Sequence, residues 1–121
     1  MSITVPLLGF GGSGGSSKLD LLWENARPTS SFGSQEVQLS KELDDDDWVI
    51  VCFKAATNSD AVANIVVKNG TTGRVTSSDT NNHGFRNVTV TNTKVQFTGA
   101  IWAKNSDSTY LVPTHIYRLR G

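Results

Sequence analysis

A single cysteine, Cys52, means that no disulfide can close within this chain, so its fold does not depend on an oxidising compartment. No apolar run approaches the ~20 residues of a membrane-spanning helix, and the start, Met1-Ser2-Ile3-Thr4-Val5-Pro6-Leu7-Leu8, lacks the basic residues of a signal peptide. Charge of either sign is not in excess: eleven Lys and Arg balance eleven Asp and Glu, which gives no pull towards nucleic acid or an anionic membrane. There are two histidines, and no His-x-x-x-His, Cys-x-x-Cys or nucleophile-elbow spacing occurs. Without such a constellation the chain reads as a non-enzyme with no metal or cofactor.

Hydrophobic residues are also scarce, at 37 % of 121 residues, and Ser, Thr, Asn and Gly fill the gap. Those side chains compete for backbone hydrogen bonds inside a helix and suit short strands joined by turns. One domain with a modest core is expected.

What the chain does have is Trp48-Val49-Ile50-Val51-Cys52-Phe53-Lys54, its longest apolar run. Alternation puts Trp48, Ile50 and Cys52 on one face and Val49, Val51 and Phe53 on the other, so a strand here must be covered on both sides. One face is expected to pack internally and the other to be core or an assembly surface. Cys52 lies inside this strand with no polarising base near it in sequence, and reads as an inert buried thiol.

Around this centre the pattern is of successive strands. Residues 19–24 form the first, followed by a Pro- and Ser-marked loop through 31. Residues 34–40 alternate, with Gln35, Val37 and Leu39 on one face. Asp44-Asp45-Asp46-Asp47 then reads as a solvated turn, because calcium loops space their ligands at alternate positions and these acids are adjacent. After a polar loop, residues 61–68 lead into a turn at Asn69-Gly70, and a hairpin returning through 74–76 is the simplest outcome. A second turn at Asn92-Thr93 joins 85–91 to 94–102. Residues 110–119 close the chain, and Pro113 argues that this last strand lies on an edge or begins pairing late. About eight strands and no amphipathic helix predict an antiparallel β-sandwich, jelly-roll-like, over residues 18–121.

Residues 1–17 read differently. Gly9-Phe10-Gly11-Gly12-Ser13-Gly14-Gly15-Ser16-Ser17 is a flexible tether by composition, and no helix or Lys-Ser/Thr pair follows to make it a phosphate loop. A tether connects two things, and the other one is the apolar tip. Ile3, Val5, Leu7 and Leu8 are expected either to anchor on another protein or to add an edge strand to their own domain.

Trp23 and Trp102 are candidates for stacking on a sugar, weighed against ordinary places in the core. His115 lies opposite Ile116 in alternation. In a threefold assembly three copies of it could meet on an axis, whereas a single hydrogen-bonded strand histidine is the simpler reading.

The segment Leu21-Leu22-Trp23-Glu24-Asn25-Ala26-Arg27-Pro28-Thr29-Ser30-Ser31-Phe32, then Val37-Gln38-Leu39-Ser40, Trp48-Val49-Ile50-Val51 and the closing Val112-Pro113-Thr114-His115-Ile116-Tyr117-Arg118-Leu119, resembles a domain of phage and prophage virion proteins. In that family an "LLW-N-PTS-F" opening leads to a central hydrophobic strand and the chain ends near "IP-KIYGIK". Here His115 stands at the usual Lys position and Arg118 replaces the usual Gly. The resemblance implies a β-structured, non-enzymatic virion component of a tail, baseplate or fibre, a homotrimer, assembled in the bacterial cytoplasm. Joined to the tether, it suggests a small fibre or decoration protein. On that reading the N-terminal segment binds other virion proteins, and the displayed domain contacts a host-surface glycan. A carbohydrate-binding module of a tail tip and a purely structural cap are the alternatives. Trp48, Ile50, Cys52, His115 and Tyr117 are the candidate oligomer interface.

Overall fold

A computed structural model of the chain describes residues 19–79 and 81–119. The described residues form ten strands and no helix: β1 (Leu19–Glu24), β2 (Gln35–Gln38), β3 (Trp48–Ala56), β4 (Val62–Lys68), β5 (Thr72–Ser78), β6 (His83–Val90), β7 (Lys94–Phe97), β8 (Ile101–Trp102), β9 (Asn105–Ser106) and β10 (Tyr110–Leu119). Every pairing is antiparallel. The fold is therefore all-β, as the composition implies. The anchor residues Ile3, Val5, Leu7 and Leu8, and the tether after them, lie outside the described residues.

The first sheet runs β1-β10-β3-β4. In the second, β5 pairs along one edge of β6, while β7 and β8 pair with its two ends and β2 and β9 extend them. Alternation decides what lies between the sheets. Val49, Val51 and Phe53 of β3, Ile116 of β10 and Val67 of β4 share one core with Val37, Val75, Val88, Val90, Val95 and Phe97 of the second sheet. Phe97 meets Phe32 and Phe53 edge-on, with ring centres 5.4 and 6.2 Å apart, the arrangement that aromatic quadrupoles favour.

Three features differ from the local expectations, and a fourth has no local signal. Asn69-Gly70 does form a turn: the Thr71 amide donates to the Lys68 carbonyl and Gly70 has φ of 87°, the pattern of a type II turn. The strands it joins do not pair as a hairpin, because β4 belongs to the first sheet and β5 to the second. Gly73 marks the close approach this requires, since a Cβ there would lie 2.9 Å from side-chain carbons of both Ile65 and Val67.

Pro113 is not on an edge. Strand β10 lies between β1 and β3, and the register slips between Pro113 and His115, a bulge that accommodates a residue with no amide to give. The bulge leaves the Pro113 and Thr114 carbonyls to Asn25, whose side-chain amide donates to the first and whose backbone amide donates to the second.

Nor are the four aspartates uniformly solvated. Asp44, Asp45 and Asp46 are exposed, but Asp47 is buried: its carboxylate accepts from the Asp44 amide and stands 3.9 Å from the Arg118 guanidinium. Arg118 also donates to Asp20 at 2.6 Å, so its cation ties β10 to β1 at one end of the core. Finally, Arg86 occupies a fully buried position on β6 in phase with Val88 and Val90. It donates to the Thr98 and Tyr110 carbonyls at 2.8 and 3.0 Å and lies over the Phe32 ring, and burial pushes its pKa down to about 10.

Candidate functional site

The face of the first sheet that points away from the core carries the most unusual chemistry of the described residues. Because Val49, Val51 and Phe53 enter the core, the alternate residues of β3, namely Trp48, Ile50 and Cys52, point outward. Cross-strand register extends each of them into a row. Ile50 stands between Tyr117 and Val66, and Tyr117 pairs in turn with Leu21. Trp48 stands between Leu119 and Lys68, and Cys52 between His115 and Asn64. All five residues expected to form an interface, Trp48, Ile50, Cys52, His115 and Tyr117, therefore share one face.

Soluble sheets normally put polar side chains outside. Here Leu21, Trp48, Val62 and Val66 are the large hydrophobic residues left exposed, at 46, 39, 64 and 47 %, and all four lie on this sheet. Ile50 is only 1 % exposed although it faces outward, so the centre of the face is already dry and its flanks are not. Leu21, Val62 and Val66 were not among the interface candidates read from the sequence, although residues 62–67 carry apolar side chains on both faces of the strand, Val62 and Val66 on one and Ala63, Ile65 and Val67 on the other.

One end of the face is more polar. There, a hollow of about 230 Å³ is lined by Glu24, Cys52, Val62, Asn64, Thr114 and His115, among others. The His115 ring has both nitrogens engaged, Nε2 3.5 Å from the Glu24 carboxylate and Nδ1 3.0 Å from the Thr114 hydroxyl, and it stacks on Tyr117 with ring centres 5.9 Å apart. This ring is held in place by its neighbours. Among the described residues no group of three or more His, Cys, Asp and Glu is placed to hold a metal, and no helix is long and apolar enough to cross a membrane.

The two tryptophans proposed as stacking platforms separate. A bulge in β1 after Leu21 turns Trp23 towards the core, where its ring centre is 6.1 Å from that of Phe32 and 6.3 Å from that of Phe97. Its indole serves the interior. Trp102 instead lies half-buried at an end of the second sheet, stacked face to face on Tyr110 with ring centres 4.2 Å apart and planes within 4°.

No family model, curated protein or solved structure matches the chain.

Proposed function

We propose that this chain is a structural component of a phage virion, of the fibre or decoration type, whose β-domain assembles with copies of itself through the outer face of the first sheet. The observation that carries the assembly half is the row Leu21–Tyr117–Ile50–Val66, apolar across all four strands, with Trp48 beside it. Around the buried Ile50, the exposed Leu21, Val66 and Trp48 leave apolar surface of the kind that marks a protein interface, because leaving it in water costs roughly 25 cal/mol per Å². The isolated strand pattern left open whether the second dry face of β3 served the core or an assembly. Membership of the outer face favours assembly.

The virion half rests on the resemblance carried by Leu21–Phe32 and Val112–Leu119. A trimer is the assembly proposed, with residues 1–17 joining it to other virion proteins. Deleting residues 1–17 from the protein in an infected host tests that attachment. Loss of the protein from purified particles is expected, and undiminished incorporation contradicts it.

A further inference from the structure

Three non-glycine residues among those described have a left-handed backbone: Ala103 at φ 52°, Lys104 at 68° and Leu111 at 51°. Each is disfavoured for an L-residue with a Cβ. Their positions are not scattered. Ala103 and Lys104 directly follow Trp102, and Leu111 directly follows Tyr110, the two rings of the parallel stack. Trp102 is also paired across the sheet with Gly84, where any Cβ would lie 2.6 Å from the indole Cε3. The backbone is thus left-handed next to both rings of the stack and only a glycine fits opposite the indole, so the two rings are held in a fixed place.

The stack borders a cleft of about 310 Å³, within the range of small-molecule sites. Tyr110 and its register partner Ala56 bring the first sheet to this cleft, and Trp102 with Ser77 and Ser78 bring the second. Its other walls are small or polar: Asn58, Ser59 and Asp79 supply an amide, a hydroxyl and a carboxylate, while alanines leave the space open. Part of this polar capacity is already spent. The Ser59 hydroxyl oxygen accepts from the Ala61 amide, and Asp79 Oδ1 accepts from the Asn81 and Asn82 amides. The Ser59 hydroxyl keeps its proton to donate, and the Asp79 carboxylate keeps a second oxygen. Among the described residues no cation lines the cleft, and Lys104 borders a separate hollow with Asn81, Asn82 and His83.

The geometry points to a binding site for a neutral carbohydrate. Two aromatic rings wall the cleft beside small side chains, donors and acceptors converge from the β3–β4 loop, the β5–β6 loop and the end of β5, and a lone carboxylate disfavours anionic sugars. The site lies apart from the outer face of the first sheet. It extends the reading of a displayed domain, and a monomer would bind as a trimer does, with each additional copy contributing only avidity.

The test uses the full chain, labelled with ¹⁵N and titrated with the methyl glycosides of glucose, galactose, mannose and N-acetylglucosamine, and in a separate arm with the methyl glycoside of galacturonic acid, its carboxylate free and ionised. Saturable shifts of the Trp102 indole N–H and of the Asn58, Ser77 and Asp79 amides are expected with at least one neutral glycoside. Trp102→Ala is expected to weaken that binding roughly tenfold. Should that variant fail to fold, Asn58→Ala, an exposed loop change, is expected to weaken it about threefold. Silence of the cleft resonances with every neutral glycoside overturns the assignment, as does tighter binding of the galacturonate. So does binding indifferent to both variants. None of these results bears on whether the chain forms an oligomer, which the mass of the particle reports separately.

Discussion

Gly84 and Trp102 face each other across β6 and β8, and the indole lies so close to the glycine that no other residue fits. This contact attaches the short β8–β9 hairpin to the second sheet, together with the amide of Ala103 donating to the His83 carbonyl. A Cβ at position 84 would meet both the indole and the Ile101 carbonyl, and a backbone atom cannot swing aside. Gly84→Ala is therefore expected to cost about 3 kcal/mol of stability and to release Trp102. Chemical denaturation with tryptophan fluorescence checks both, the second as a red-shifted emission in the native baseline.

The hairpin tip invites the opposite change. Two residues, Ala103 and Lys104, join β8 to β9 with positive φ at both, the pattern of a type I′ turn that Asn-Gly fits best. Replacing Ala103 by Asn and Lys104 by Gly together should raise stability by about 1 kcal/mol, the relieved strain being partly offset by the added freedom of Gly in the unfolded chain. A higher denaturation midpoint at unchanged slope is the expected reading.

Arg86 carries a pH signature. Its folded pKa, about 10, lies below the ordinary guanidinium value because the charge is buried, so the unfolded chain holds this proton more tightly than the folded one does. Burial of the charge thus costs stability in full below about pH 10, and the cost is relieved as pH rises beyond that. Arg86→Met removes both the cost and its relief, while leaving the Thr98 and Tyr110 carbonyls without their donor. Denaturation on either side of pH 10 should show the wild type gaining on the variant as pH rises. A difference that does not change with pH would contradict it.

Much of this was legible in the residues, where local physics decides. The alternation of Trp48 to Phe53 requires two covered faces, and the described fold puts Val49, Val51 and Phe53 inside and Trp48, Ile50 and Cys52 outside. Asn92-Thr93 turns β6 into β7, with Val90 opposite Val95. What escaped depends on distant partners. Asn69-Gly70 specifies a turn but not whether its strands pair or part into two sheets. Pro113 excludes a donor from one ladder position, and a bulge satisfies that in mid-sheet as well as an edge does. Asp47 looked like its three neighbours, because its partner Arg118 is 71 positions on in the sequence. Arg86 sits in phase with Val88 and Val90, yet nothing local signals that two carbonyls wait for its guanidinium.

The outer face of the first sheet is the centre of the functional proposal, and Trp48 and Val66 can be changed there without opening the core, since both are exposed in the single chain. Sedimentation equilibrium of the full chain and of the Trp48→Glu, Val66→Glu double variant, at the same micromolar concentration, is the most direct test. The account predicts a trimer mass for the wild type and a monomer mass for the variant, with the same β-rich circular dichroism. A monomeric wild type, or a folded variant of undiminished mass, would contradict it.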